Sequence, residues 1–291
     1  MTVRAPVPVH TVSDYPLDPR PRWGYGTPPH PRIAQVLEAG RDRYAAVIGE
    51  IAAHRDLLHT IPHGPVPDRP DTPYWANSWF SGLDAAALVG LVASRRPSRY
   101  LEIGSGHSTR FARFAAAAAG GRTEIVSIDP APHRDVAAVA DRVIRAGLED
   151  CAPEVFAGIG PGDVVFFDGT HRVLPNSDVT AFFLDVLPRL PPGVLVHVHD
   201  VFLPLDYPPE WASRLYSEQY LLAAMLLGPA PPFRVLLPNH FACRDPVLGA
   251  QARAILAGGD PAIPFLYDGP RPFPGVSFWF ETTSALRDPA G

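Results

Sequence analysis

Two short segments of the sequence combine carboxylates with imidazoles, the side chains that most often bind divalent metals and move protons. The first runs from Asp168 to His171, and the second runs from His197 to Asp200. Carboxylates and imidazoles together are a usual ligand set for a divalent metal. A histidine with a pKa near neutrality can also accept a proton from a hydroxyl. The two segments therefore offer candidate metal ligands and candidate proton acceptors.

Each of these segments follows an apolar run that predicts a buried strand. The runs are 163–167 and 193–198, and further strands are predicted at 99–103, 124–128 and 142–145. Helical patterns separate the runs, and such alternation predicts a parallel sheet with right-handed crossovers. Ligands of such sheets bind at the carboxyl ends of the strands. We therefore expect the residues that follow the strands, Gly104, Asp129, Asp168 and Asp200, to share one edge.

The segment from Tyr100 to Thr109 predicts a nucleoside site at this edge. A strand ends in a Gly-x-Gly turn, a helix follows at once, and the next strand ends at Asp129. Glycines let the backbone approach a ligand, the N-terminus of the helix faces that ligand, and the acid binds ribose hydroxyls. The dinucleotide pattern G-x-G-x-x-G is incomplete, because position 109 is Thr. An NAD-type enzyme is therefore only an alternative.

The run from Glu102 to Gly106 resembles motif I of the class I S-adenosylmethionine-dependent methyltransferases, E/D-x-G-x-G. The resemblance covers about residues 98–283. It implies an α/β, Rossmann-like sheet of seven strands in the order 3-2-1-4-5-7-6, with S-adenosylmethionine as cofactor. It also implies that the cofactor contacts Glu102, Gly104, Ser105, Gly106, His107, Asp129 and Asp168.

The acids that follow strands four and five resemble the site of metal-assisted O-methyltransferases, the catechol O-methyltransferase and cephalosporin-hydroxylase-like groups. The resemblance implies that Asp168, His199 and Asp200 bind a divalent metal, although those families place a carboxylate where His199 stands. The catechol-type enzymes carry a catalytic Lys where this chain has His171, and this chain has no Lys at all. His171, His199 and Asp200 are thus the candidate catalytic residues. The choice of base between His171 and His199 stays open.

The function predicted from these motifs is S-adenosylmethionine-dependent methylation of a small molecule, most simply at a hydroxyl and with or without a metal. Two alternatives remain besides the NAD-type enzyme. The cofactor could serve another nucleophile, or it could serve a non-methylating reaction.

The chain divides into two predicted parts. Residues 1–82 form an N-terminal arm and a helical cap, because apolar residues recur at helical spacing between 31 and 59. Residues 83–291 form the methyltransferase domain, with a Pro-rich insertion at 238–275 between its last two strands.

Composition narrows the partners of this chain. A net charge of −5 without a basic patch argues against nucleic acid. No signal sequence or membrane-spanning run is visible, and the two cysteines read as free thiols. We therefore expect a cytoplasmic protein with a small-molecule acceptor and no membrane partner. Whether it forms a homo-oligomer stays open.

Overall fold

The computed structural model describes residues 18–132, 135–268 and 272–283. Its centre is one seven-stranded sheet in the order β3-β2-β1-β4-β5-β7-β6. Strands β1 to β5 run parallel, and β7 is antiparallel to both β5 and β6. This order confirms the predicted methyltransferase-type, Rossmann-like fold. The strands are Arg99–Ile103, Glu124–Ile128, Arg142–Ile144, Val164–Phe167, Leu195–Val198, Phe233–Pro238 and Phe278–Thr282.

The central strands are buried on both faces. Every residue of β4 and β5 is buried, and four of the five residues of β1 are. Parallel strands covered by helices on both faces read as continuous apolar runs, which is why these strands could be predicted from the sequence. Their carboxyl ends meet at one edge, as expected.

Helices cover the two faces of this sheet. Helix α5 (His107–Ala118) follows β1 directly, as predicted, and α6 (Asp178–Ala181) continues through a π-helical turn and a 3-10 turn to residue 189. The sequence between β2 and β3 predicts a further helix over 133–140, and this prediction is wrong for the described part of the segment. Residues 133 and 134 lie outside the description, and 135–140 contain only a turn at 137–139.

The N-terminal cap contains three helices where the pattern predicted one. They are α1 (Pro31–Glu38), α2 (Arg41–Ala52) and α3 (Arg55–Leu58). Helix α4 (Gly82–Arg95) then leads into β1. Apolar residues of α1 to α4 belong to the same hydrophobic core as the sheet. The division at residue 82 remains a prediction, and residues 1–17 of the predicted arm lie outside the described chain.

The arm before α1 lies against the loop that follows β5. The backbone N–H groups of Arg22 and Trp23 both donate to Oδ2 of Asp206, at 2.6 Å and 3.1 Å. The aromatic residues of the Pro- and Gly-rich Trp23 segment are compatible, from the sequence, with a surface anchor or with a lid over a substrate. The contacts with Asp206 show an anchor on the protein's own surface.

The C-terminal third departs most from the sequence pattern. The sequence pattern of residues 211–227 predicts one helix. The structure instead has a 3-10 helix (Pro209–Arg214) and α7 (Glu218–Leu226), because Leu215 adopts a left-handed conformation. The predicted Pro-rich insertion at 238–275 corresponds to the segment between β6 and β7 and remains a prediction. It contains the helices α8 (Asn239–Arg244) and α9 (Pro246–Leu256) rather than irregular loops alone. No helix in the described chain is long and apolar enough to cross a membrane.

Candidate active site

The turn after β1 lies directly against the turn after β4. Gly104 has a φ of +81°, and a Cβ built on it would lie 1.8 Å from the backbone oxygen of Asp168. Only glycine fits this position, because the backbone is left-handed and a side chain has no room. The Gly-rich turn and the first candidate metal ligand are therefore in contact through their backbones.

The carboxylate of Glu102 stabilises this turn through hydrogen bonds. It is fully buried and accepts hydrogen bonds from the hydroxyls of Thr109, Ser108 (3.2 Å) and Tyr100 (3.3 Å). Thr109 in turn accepts the N–H of Gly106 at 3.1 Å. Burial raises the pKa of Glu102 to about 8, against these hydrogen bonds. Glu102 is predicted from the sequence to contact the cofactor, but in the structure its carboxylate contacts three hydroxyls of the protein itself.

Asp129 stands half-buried at the end of β2, as predicted. Its Oδ2 accepts the N–H of Ser105 at 2.8 Å, and its Oδ1 accepts the N–H of Ala131 at 2.8 Å. Each carboxylate oxygen can accept a second hydrogen bond. Asp129 therefore fixes the turn while it keeps acceptor capacity for a ligand. His107, the first residue of α5, is buried and packs edge-to-face on Tyr74 at 5.2 Å between ring centroids.

Asp168, His199 and Asp200 converge as the sequence predicted. Each offers one ligand atom, and these atoms all lie within 4.8 Å of one another. Nδ1 of His199 lies 3.4 Å from Oδ1 of Asp168 and 3.6 Å from Oδ1 of Asp200. The side chain of Asp168 is 30% exposed, compared with 13% for Asp200 and 5% for His199. A ligand therefore reaches the cluster from the Asp168 side.

A buried acid on α4, Asp84, lies beside the other nitrogen of His199. Oδ2 of Asp84 lies 3.5 Å from Nε2 of His199. Asp84 also accepts the N–H groups of Val276 (2.8 Å) and Ser277 (2.9 Å), the amide of Asn239 (2.7 Å) and the hydroxyl of Tyr267 (2.9 Å). Its pKa lies below the usual value, because the contact with His199 and these backbone donors outweigh burial.

His171 joins the cluster and brings a second buried acid. Its Nδ1 lies 2.5 Å from Oε1 of Glu218, the first residue of α7. Burial lowers the pKa of His171, but the carboxylates of Glu218, Asp200 and Asp168 outweigh burial and raise it to about 9. The pKa of His171 therefore differs from the near-neutral value expected from the sequence.

His199 and the two central acids are also perturbed. Burial opposes the charge on His199, but Asp168 and Asp200 raise its pKa well above the usual value. Burial raises the pKa of Asp200, whereas the charges of His199 and His171 hold that of Asp168 below its usual value. Strongly perturbed groups in one cluster are typical of functional sites.

The third histidine of the two segments is structural. His197 is fully buried, stacks on Trp279 at 4.0 Å between ring centroids, and bonds to Ser277 Oγ at 2.6 Å through Nε2. Sequence reasoning missed Asp84 and Glu218 as parts of the site. A signal was present, because each is an acid in the first turn of an otherwise apolar helix.

Comparison with known proteins decides what kind of domain this is. Residues 101–201 match the family model described as a methyltransferase domain. This segment is therefore similar in sequence to methyltransferase domains. The matched residues run from β1 to the loop after β5, so they contain the Gly-rich turn, Asp129 and the Asp168, His199 and Asp200 cluster. The predicted resemblance to methyltransferases is confirmed, and the NAD-type alternative has no support.

Solved structures similar to this chain include several methyltransferases. The S-adenosylhomocysteine-bound methyltransferase PaMTH1 of Podospora anserina is 20% identical, with 68% of this chain and 90% of that chain covered and a TM-score of 0.40. The Bacillus cereus O-methyltransferase in complex with S-adenosylhomocysteine is 16% identical, with coverages of 82% and 91% and a TM-score of 0.39. Cofactor-bound Rv0187 from MTB is 18% identical, with coverages of 87% and 91% and a TM-score of 0.41. At this level the likenesses carry no argument about activity. No curated protein matches the chain.

Proposed function

We propose that this protein transfers a methyl group from S-adenosylmethionine to a hydroxyl of a small molecule, at a site that holds a divalent metal. One observation carries the proposal: the Gly104 turn, which would hold the methyl donor, touches the backbone of Asp168, the first acid of the cluster. Donor and acceptor sites that touch can bring a sulfonium methyl group and a nucleophile into line, which is the main requirement of methyl transfer.

The cofactor would lie over the turn between β1 and α5. A Cβ added at Gly106 would meet no protein atom within 4 Å, so the space next to this residue is open. The N-terminus of α5 and the unused acceptor capacity of Asp129 suit the amino-acid part and the ribose of the cofactor. Ser105, whose N–H is fixed by Asp129, would lie beneath it.

The cluster has the donors that a divalent metal requires. Two carboxylates and an imidazole have their ligand atoms within 4.8 Å of one another, and the outer nitrogen of His199 faces a fully buried acid. Orientation of a ligating histidine by a second carboxylate is a recurrent feature of metal sites. Asp168, His199 and Asp200 would hold the ion, and when bound it would lower the pKa of a coordinated hydroxyl.

The transfer also requires a destination for the hydroxyl proton and a route for the acceptor to the cluster. In the transfer itself, the acceptor oxygen forms a bond to the methyl carbon, the carbon–sulfur bond breaks with its electron pair left on sulfur, and the hydroxyl proton passes to water at the partly exposed side of Asp168. The neighbouring carboxylates raise the pKa of both His171 and His199, so both imidazoles favour the protonated form. Partial exposure of Asp168 gives the acceptor a route to the cluster.

An aromatic surface beside the cluster supports a small organic acceptor. The ring of Tyr216 lies 4.4 Å from the ring of His171, and Trp211 packs on Tyr216 at 5.6 Å. The guanidinium of Arg214 stands 3.9 Å from the ring centroid of Trp211. A flat acceptor that rests on Tyr216 would come next to the proposed metal. Cytoplasmic location and any homo-oligomer remain predictions.

Calorimetry with S-adenosylhomocysteine, before and after treatment with EDTA, tests the two halves of the proposal separately. We expect binding in both cases and methyl transfer only when one divalent ion is restored. Asp200→Asn is the matched variant, because Asp200 has a φ of +58° and asparagine tolerates this left-handed conformation. It should lose both metal and turnover while it still binds the cofactor product. A chain without affinity for S-adenosylhomocysteine would refute the donor half, and full turnover after exhaustive chelation would refute the metal half.

A further inference from the structure

His171 and His199 both contact the two central acids, and each ring also has a buried carboxylate beside its other nitrogen. The outer nitrogen of each ring faces a fully buried carboxylate: Glu218 lies 2.5 Å from Nδ1 of His171, and Asp84 lies 3.5 Å from Nε2 of His199. A carboxylate on the outer nitrogen fixes the orientation of the ring and increases the basicity of the inner nitrogen. The buried carboxylates therefore orient the inner nitrogen of each ring towards Asp168 and Asp200.

The two inner nitrogens point at the same carboxylates. Nε2 of His171 lies 3.4 Å from Oδ1 of Asp168 and 3.5 Å from Oδ2 of Asp200. Nδ1 of His199 lies 3.4 Å from the same oxygen of Asp168 and 3.6 Å from Oδ1 of Asp200. His171 thus stands to Asp168 and Asp200 as His199 does.

We propose that His171 is a fourth protein ligand of the metal, through Nε2, and that Glu218 is the residue that positions it. This inference rests on the metal half of the function proposed above. The centre then has two imidazoles and two carboxylates. Such a donor set suits a transition ion such as Zn²⁺, Fe²⁺, Co²⁺ or Mn²⁺, whereas Mg²⁺ prefers oxygen ligands.

The geometry of His171 favours a ligand over a free base. Its side chain is only 7% exposed, Glu218 occupies Nδ1, and Nε2 faces the two central acids. The ring of Tyr216 lies 4.4 Å from the ring of His171. The backbone agrees, since the carbonyl of His171 accepts the N–H of Ser217 at 2.7 Å and so ties this loop to the start of α7. A general base needs a ring nitrogen that faces the hydroxyl of the substrate, whereas both nitrogens of His171 face carboxylates of the protein.

Metal titration of the full chain tests the assignment without any assay of turnover. The protein is stripped with a chelator, and Co²⁺ and Zn²⁺ are titrated in competition with a chromophoric chelator. His171→Ala should weaken binding at least ~10–100-fold, the usual effect of losing a metal-site residue. Glu218→Gln should weaken it by about 10-fold, and adding it to His171→Ala should change little, because both act through one ring. His54→Ala is the control, since that ring bonds to the hydroxyl of Ser94 on α4.

A spectroscopic count of nitrogens gives the second readout. With Cu²⁺ bound, electron paramagnetic resonance should show coupling to two imidazoles in the native chain and to one in His171→Ala. Circular dichroism shows whether each variant folds, and Glu218→Gln keeps the test available if His171→Ala does not. Unchanged affinity and two remaining imidazole couplings in His171→Ala would overturn the assignment. A native chain that binds no divalent ion would overturn it together with the metal half of the proposed function, while binding of S-adenosylhomocysteine would still support the donor half.

Discussion

Oδ2 of Asp84 lies 3.5 Å from Nε2 of His199, and both oxygens of this carboxylate are used elsewhere as well. Oδ1 accepts from Ser277 and Asn239, and Oδ2 accepts from Val276 and Tyr267. The same acid therefore contacts a site histidine and joins α4 to the residues that lead into the last strand.

Replacement of Asp84 by Asn should cost stability, because one of the two oxygens becomes an amide that faces donors. Hydrogen bonds to charged groups contribute about 1.5–3 kcal/mol each, so we expect a loss of at least that size. Urea denaturation measures it. The exposed Asp42→Asn, on α2, is the control and should leave the midpoint unchanged. An unshifted midpoint for Asp84→Asn would show that the acid does not stabilise this junction.

Two glycines of the first turn should respond differently to alanine. Gly104→Ala places a Cβ 1.8 Å from the oxygen of Asp168 at a φ of +81°. The left-handed backbone alone costs about 1–3 kcal/mol, and the overlap adds to this. Gly106→Ala meets no protein atom within 4 Å and should fold normally, yet its methyl group should hinder S-adenosylhomocysteine. Thermal unfolding and calorimetry separate the effects. Native affinity in Gly106→Ala would move the donor away from this turn.

Asp129→Ala should weaken binding of S-adenosylhomocysteine by about 1–3 kcal/mol, which is roughly 5–150-fold. The loss has two physical sources: the ribose hydroxyls lose their acceptor, and the N–H of Ser105 loses its partner. Calorimetry measures the change. Asp135→Ala is the matched control, because its carboxylate only accepts the N–H of Ala137 in an exposed turn. Equal affinities in the two variants would remove Asp129 from the donor site.

Glu102 should make the folded protein less stable as the pH rises from acid to mildly alkaline values. Its pKa in the folded chain is about 8, compared with an ordinary value of 4.5. The folded state therefore holds the proton more tightly than the unfolded state. The resulting stabilisation is complete below about pH 4.5 and is lost as the pH rises through about 8, by up to ~1.4 kcal/mol per pH unit.

Glu102→Gln removes this titration while it keeps one acceptor oxygen. Urea midpoints at acid, neutral and mildly alkaline pH should decline more steeply in the native chain than in the variant. All other titrating groups are common to both proteins, so the difference between the two curves isolates Glu102. Parallel curves would mean that its folded pKa is ordinary.

The fold and the central acids were predictable because local sequence determines them. Buried parallel strands give unbroken apolar runs, and the residue after each run must lie at one edge, which brings Asp168, His199 and Asp200 together. Their chemistry was less predictable, since the pKa of His171 depends on Glu218, whose place beside it is set by a left-handed residue, Leu215, that divides the expected helix. Asp84 lies on a helix that precedes the sheet, and its partners are distant in the chain.

The four donors to Asp84 have a consequence for how the chain folds. Two of them, the N–H groups of Val276 and Ser277, lie 192 and 193 residues further along the chain. Contacts of such sequence separation close large loops and form late. During synthesis, His199 therefore leaves the ribosome long before Asp84, the acid beside it, can form its hydrogen bonds with Val276 and Ser277. We expect metal capture by the nascent chain to begin only after the final hairpin has docked, so the ion would act as a reporter of completed folding.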